Sequence, residues 1–176
     1  MKALFFDIDG TLVNKEGQLP DSARKALDQA RAKGHKLFLC TGRNEVQIYS
    51  FLKDYGFDGV VSAAGAMVSC EGKEIYHNFI GEEPLNRCID FFAGRPVIFG
   101  LQAASGNYMD KKSYQVFEDV AEKYHLDERV LKAVTNGMEI VDSLRGHRDV
   151  EKMFYFECPE SVEQVQQALG EELLVL

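Results

Sequence analysis

Basic residues are what this sequence is shortest of relative to its acids: 20 Lys and Arg stand against 28 Asp and Glu, giving a formal net charge of -8 and a pI near 5.0. That argues against a nucleic-acid partner, because phosphate contacts need clustered Lys and Arg. The four cysteines, Cys40, Cys70, Cys88 and Cys158, form no C-x-x-C pair, and no His stands at zinc-ligand spacing. Reduced thiols in a cytoplasmic protein are expected from such usage. No run approaches the ~18–20 apolar residues of a membrane span, and the chain opens directly into a strand-like run without a charged leader and cleavage site. The expectation is a soluble chain with no membrane partner. Disorder is also argued against, since 45% of the 176 residues are apolar and a core can be buried. An acidic chain can still take a phosphorylated ligand where a metal ion and backbone N–H groups supply positive potential locally.

What is present is an alternation of apolar runs and amphipathic stretches. Lys2–Asp7 is a continuous apolar run ending in a carboxylate, as in a strand buried on both faces of a parallel sheet. Pro20-Asp21-Ser22 opens a helix with Asp21 or Ser22 as its cap and Ala23, Ala26, Leu27 and Ala30 on one stripe, stopped at Gly34. His35–Cys40 is a second strand, with Cys40 expected in the core; Asn44–Tyr55 is a second helix and Asp58–Ser62 a third strand. Short connections between these predict parallel strands with right-handed crossovers. Ala66–Cys70 and Lys73–His77, joined by Glu71-Gly72, read as a hairpin. Beyond Gly81 the order is mixed: helices over Pro84–Phe92, Ser113–Tyr124 and Ser161–Leu169, strands over Val97–Leu101, up to Tyr108 and over Lys152–Glu157, then the apolar run Leu173–Leu176. The fold class expected is α/β, the first half of a doubly wound parallel (Rossmann-like) core over residues 1–80, followed by an α+β module over residues 81–176.

The chemistry concentrates at two strand ends. In Asp7-Ile8-Asp9-Gly10-Thr11, residues i and i+2 of an extended chain point the same way, so Asp7 and Asp9 converge while Ile8 turns inward. Two carboxylates this close repel unless a proton or a cation intervenes, and oxygen ligands select Mg2+. Ligands collect at the carboxyl ends of strands in open α/β sheets. Thr41-Gly42-Arg43 follows the second strand, offering a hydroxyl and backbone N–H groups to a phosphate oxygen at the mouth of a helix. Arg43 either touches that phosphate or pairs with an acidic neighbour such as Glu45. The basic stretch Arg145-Gly146-His147-Arg148 reads as a solvated loop or a contact for an anionic substrate.

Asp7-Ile8-Asp9-Gly10-Thr11 and the Thr41 segment resemble the first two motifs of the haloacid dehalogenase superfamily. Ser62-Ala63-Ala64-Gly65-Ala66 resembles the Asn-Gly-Ala that the Cof-type sugar-phosphatase branch places before its hairpin, with Ala64 standing where that branch has Asn. The second module resembles that branch's α/β cap. The resemblance implies a Mg2+-dependent phosphomonoesterase acting on a small phosphorylated metabolite such as a sugar phosphate. In it Asp7 attacks phosphorus to form an aspartyl-phosphate, and Asp9 protonates the leaving oxygen and then activates water. Mg2+ is held by the Asp7 carboxylate and the Asp9 main-chain carbonyl, and Thr41, Gly42 and Arg43 bind the phosphoryl group.

The resemblance also implies a lysine and an acidic Gly-Asp-x-x-Asn-Asp loop after the cap, and the sequence to Leu176 contains neither. Acidic residues near Asp142 and Asp149 lack the glycine-rich context, and Lys152 lies inside a cap-like strand. The expectation is the front portion of such an enzyme, a poor catalyst as this chain alone, whose first strand would be an exposed apolar edge until further chain or a second chain covers it. A catalytically incomplete phosphate-binding or assembly protein is the alternative from another class, and a phosphotransferase is the third. A receiver domain is disfavoured, because its acidic pocket does not use Asp-x-Asp-Gly-Thr.

Overall fold

The computed structural model describes residues 1–127, 131, 135 and 137–175. The chain divides into two compact units, Met1–Asn78 and Phe79–Leu176.

The first unit is built on the apolar runs. Strands β1 (Ala3–Phe6), β2 (Lys36–Cys40) and β3 (Gly59–Ser62) are parallel neighbours, with Phe5 opposite Phe38 and Leu39 opposite Val60. Strands β4 (Met67–Cys70) and β5 (Lys73–His77) add antiparallel, so the order is β1-β2-β3-β4-β5. Glu71 and Gly72 turn the β4–β5 hairpin with φ of 50° and 73°, the primed geometry that follows strand twist.

Helices α1 (Asp21–Ala32) and α2 (Ser50–Tyr55) form the two crossovers. The chain advances from β1 to β2 to β3 in one direction, so right-handed connections put both helices on one face. The core lies there: Leu27, Leu37, Leu39 and Leu52 are buried, with Leu4 and Phe6 packed against them. Alternation along the strands sends Phe5, Phe38 and Cys40 to the opposite face, where Phe5 is 58% exposed and stacks on Phe38 at a centroid distance of 4.9 Å.

Four local expectations are corrected in this unit. The run Lys2–Asp7 is not buried on both faces: Leu4 and Phe6 pack toward the helices, while Ala3 and Phe5 are exposed. The helix expected over Asn44–Tyr55 is broken: one 3-10 turn spans Glu45–Gln47, Ile48 and Tyr49 are extended, and α2 starts only at Ser50. Arg43 Nη1 donates to the Gln47 carbonyl at 2.9 Å, capturing an acceptor that a continuing helix would give to the amide four residues on. Pro20, not Asp21 or Ser22, occupies the N-cap of α1, with no side-chain cap bond, and Asp21 sits in the first turn where its charge complements the helix dipole. Cys40 is exposed, not buried, because it shares the helix-free face with Phe38.

The second unit carries β6 (Ile98–Ala103), β7 (Gly106–Asp110), β8 (Met138–Val141) and β9 (Val150–Phe156) in the order β8-β7-β6-β9, with only β7 and β8 parallel. Helices α3 (Glu82–Ala93) and α5 (Val162–Leu169) bury Leu85, Phe92, Val165 and Leu169 against Phe99, Leu101 and Ala103. Helix α4 (Lys111–Lys123) packs Phe117 with Ile98 and Met109. Asp110 caps α4, accepting from the Ser113 amide at 2.7 Å, so the helix starts two residues before the expected Ser113. Strand β8 was not expected; its four residues are too few for a clear period.

Gln166 folds the segment after α5 back on itself. Its amide donates to the Gly170 and Leu173 carbonyls at 2.6 and 2.7 Å, and its carbonyl oxygen accepts from the Val175 amide at 2.9 Å. The expected apolar run Leu173–Leu176 is described as far as Val175; Leu176 lies outside the described residues.

Candidate active site

The turn after β1 is organised by one carbonyl. Ile8 O accepts from the Leu12 and Val13 amides at 3.1 and 3.0 Å, and from Thr11 at 3.4 Å. Ile8 is fully buried while Asp7 and Asp9 on either side are exposed. Gly10 has φ of 77° and nothing within 4 Å of where a Cβ would stand, so the requirement there is left-handed backbone alone. The two carboxylates therefore ride on a tight turn instead of a prolonged strand.

The loop after β2 is held by its neighbour. Thr41 is 5% exposed, its amide donates to Val61 O at 2.9 Å, and its Oγ1 accepts from the Arg43 amide at 3.2 Å. Past the end of β3, the Ala63 amide donates to Arg43 O at 2.7 Å and the Ala64 amide to Thr41 O at 3.1 Å. These bonds require an unusual backbone: Ala63, Ala64 and Gly65 have φ of 48°, 56° and 101°. Two consecutive alanines in the left-handed region are strained, and such strain persists where surrounding bonds over-determine it. Here it brings two successive amides onto the Thr41–Arg43 backbone.

Arg43 joins the two loops. Its Nε donates to Asp9 Oδ2 at 2.7 Å and its Nη2 to Asp9 Oδ1 at 2.8 Å, a parallel fork. Nη2 also reaches Tyr49 Oη at 3.2 Å, and Cζ lies 4.6 Å from the centre of the Tyr49 ring. The Asp9 carboxylate beside it holds the Arg43 guanidinium above its ordinary pKa, opposed by partial burial. Asp9, Thr41 and Arg43 are thus in one bonded cluster; Gly42 lies exposed between the last two, and Asp7 stands exposed two residues before Asp9. The acid that pairs with Arg43 is Asp9, not Glu45. Tyr49 and the Gln47 carbonyl belong to the cluster and carry no signal in the sequence, since neither spacing nor residue type marks them.

Among the described residues no group of three or more His, Cys, Asp or Glu lies together to hold a metal. Asp9 gives both side-chain oxygens to Arg43, which leaves the Asp7 carboxylate and the Asp9 main-chain carbonyl as hard oxygen donors. That set fits Mg2+, which takes one or two carboxylates and completes its shell with water and phosphate.

In the second unit, Arg145 donates to Asn86 Oδ1 at 2.8 Å and pairs with Asp90, tying the basic loop to α3. His147 lies against the Tyr108 ring at 4.1 Å. These fix the loop locally.

Comparison with known proteins bears on the whole chain. Residues 4–175 match the family model of the haloacid dehalogenase-like hydrolases. Over 155 residues the chain is 24% identical to the 5-amino-6-(5-phospho-D-ribitylamino)uracil phosphatase YwtE of Bacillus subtilis, covering 88% of this chain and 51% of the relative. Over 79 residues it is 33% identical to the phosphatase YwpJ of the same organism, covering 44% of this chain and 28% of the relative. Among solved structures, a haloacid dehalogenase subclass IIB sugar phosphatase superposes with a TM-score of 0.62 at 29% identity, over 80% of this chain and 52% of that one. A haloacid dehalogenase-like hydrolase from B. subtilis superposes with a TM-score of 0.65 at 22% identity, over 85% and 59%. The chain spans about half the length, or less, of the curated relatives it matches.

Proposed function

The chain belongs to the haloacid dehalogenase-like hydrolases, and from that premise we propose that it carries the nucleophile and phosphate-binding half of a Mg2+-dependent phosphomonoesterase for a small phosphorylated metabolite. The observation that carries this is the bonded cluster at the ends of adjacent parallel strands, where Asp9 from the β1 turn and Thr41–Arg43 from the β2 turn meet.

Asp7 is the nucleophile. One carboxylate oxygen forms a bond to phosphorus as the bond from phosphorus to the substrate's leaving oxygen breaks; Asp9, once one of its oxygens has left the Arg43 fork and taken up a proton, gives that proton to the leaving oxygen. Asp9 then takes a proton from water as the water oxygen attacks the aspartyl-phosphate, releasing inorganic phosphate and restoring Asp7. The Thr41 hydroxyl, whose oxygen already accepts from the Arg43 amide, retains its proton to donate to a phosphoryl oxygen, next to the Gly42 backbone. A bound Mg2+, held by the Asp7 carboxylate and Asp9 main-chain carbonyl, supplies charge compensation for the transferring group. Among the described residues no helix is long and apolar enough to cross a membrane, and four free cysteines support a reducing, cytoplasmic setting.

The test is Mg2+-dependent hydrolysis of an aryl phosphate by the 176-residue chain beside Asp7→Asn. Weak turnover that needs Mg2+ and disappears in Asp7→Asn is the expected result; turnover unchanged in Asp7→Asn removes the assignment. A second function, a phosphate-binding protein completed by further polypeptide, is favoured by one observation: β1 is an edge strand with Phe5 58% exposed on its helix-free face. Mg2+-dependent phosphate binding without turnover, abolished by Thr41→Val, is its signature.

A further inference from the structure

We infer that Arg43 is a positioning residue for Asp9, braced by Tyr49 and the Gln47 carbonyl, and is not a ligand of the phosphoryl group; this rests on the phosphatase assignment above.

The donor inventory of the guanidinium decides the point. Arginine has five N–H groups: one on Nε and two on each Nη. The Nε–H goes to Asp9 Oδ2. The two Nη2–H groups go to Asp9 Oδ1 and Tyr49 Oη. One Nη1–H goes to Gln47 O. One plus two plus one leaves a single Nη1–H, on the edge away from the fork. A phosphoryl group recognised by arginine frequently takes a parallel pair of donors, and the pair here faces a carboxylate.

The brace behind the guanidinium is itself packed. The Tyr49 ring stacks on Phe51 at 5.2 Å and lies under the guanidinium at 4.6 Å. Its hydroxyl stands 3.1 Å from where a Cβ at Gly17 would lie, and Gly17 has φ of 72°. The flap carrying Gly17 is turned by Asn14, whose Oδ1 accepts from the Glu16 and Gln18 amides at 3.1 and 2.9 Å. Tyr49 is confined by the flap, the guanidinium and Phe51 together.

The side chain this assembly serves is otherwise loose. Asp9 is 54% exposed at its side chain and sits on a turn, so without the fork its carboxylate samples several rotamers. With it, both oxygens of the carboxylate, the form that takes a proton from water, are fixed relative to Thr41. A proton donor and acceptor displaced by about 1 Å can lose on the order of 100-fold in rate, so the fork acts on the chemical step while leaving the phosphate contacts alone.

The test uses the full chain uniformly labelled with 15N, beside Asp9→Asn, Arg43→Gln and Tyr49→Phe. The Arg43 Nε–H resonance is expected to be resolved and slow to exchange with water, to lose that protection in Asp9→Asn, and to exchange several-fold faster in Tyr49→Phe. Titration with inorganic phosphate and Mg2+ should shift the Thr41 amide but not the Arg43 Nε–H. Arg43→Gln should then bind phosphate within about twofold of the parent while kcat falls roughly 10- to 100-fold with KM little changed. Arg43→Gln weakening phosphate about tenfold or more, with the Nε–H moving on titration, would overturn the proposal and make Arg43 a phosphate ligand. An unprotected Nε–H in the parent chain would overturn it as well. Failure of the phosphatase assignment looks different: the Thr41 amide ignores phosphate, while the protected Nε–H, present or absent, still decides the role of Arg43.

Discussion

Arg43 and Asp9, 34 residues apart, meet through two parallel hydrogen bonds of 2.7 and 2.8 Å, so the acidic turn of β1 and the loop after β2 are locked by a charged pair. That contact, the Ala63–Ala64 backbone and the first turn of the sheet make the site one connected object.

The left-handed alanines give a direct prediction. Ala64 holds φ of 56° and ψ of 30°, a region where asparagine is several-fold enriched over alanine. Ala64→Asn should stabilise the chain by roughly 0.5–1 kcal/mol, because the left-handed conformation costs an alanine about 1–2 kcal/mol and asparagine less. The check is the urea midpoint at unchanged m-value; a lower midpoint would show that the strain is absent or that the side chain clashes.

Asp58 carries a pH-dependent share of stability. Its carboxylate accepts from Lys36 Nζ and from the Leu37 amide, both at 2.8 Å, and the Lys36 bond, followed by the Leu37 amide, holds its pKa below the ordinary carboxylate value of 3.8. A depressed carboxylate contributes stability above its unfolded pKa and loses it as pH falls through the folded one. Asp58→Ala should therefore lose about 1–2 kcal/mol at pH 7, with the gap to the parent narrowing below ~pH 4. Equilibrium unfolding at pH 7 and at pH 3 measures it, and a gap that widens in acid would contradict the sign.

Gly59 sets the spacing of the central strands. A Cβ there would stand 2.4 Å from Ser69 O and 2.8 Å from the Phe38 ring. The first neighbour is backbone and cannot swing away, so Gly59→Ala should destabilise by about 1–3 kcal/mol or more through overpacking. Thermal unfolding reports it, and a loss under ~0.5 kcal/mol, the scale of a neutral surface change, would mean that β3 and β4 move apart freely.

The open edge should be sticky. Phe5 is 58% exposed on β1, which among the described residues has a strand partner on one side only, and natural edges are protected by charge. Phe5→Lys is expected to lower concentration-dependent association in sedimentation velocity while leaving unfolding within ~0.5 kcal/mol of the parent. Equal association in both would locate the sticky surface elsewhere.

Much of this was legible in the residues. Apolar runs ending at Asp7 and before Thr41 marked the strands and the ends at which the candidate site lies, though β1 is not buried on both faces, and the Glu71-Gly72 turn marked the hairpin between β4 and β5. The break in the Asn44–Tyr55 helix was not legible, because a guanidinium from Arg43 takes the Gln47 carbonyl and propensity cannot register a side chain arriving from outside the turn. Cys40 was misplaced for a related reason: an apolar run shows that a strand is covered, not which face is covered, and both helices fell on the face of Leu37 and Leu39.

By itself, then, the sequence determined the succession of strands in the first unit, the Asp-x-Asp turn at Asp7 and Asp9 and the Thr41 loop, since each depends on period, chain direction and residue type within a few positions. Only the tertiary structure decided which acid Arg43 meets, that Tyr49 braces it, and that Phe5 is left bare. Those depend on two strand ends 34 residues apart being brought side by side, and a side chain's partner is chosen by what lies within ~3 Å in space, not by distance along the chain.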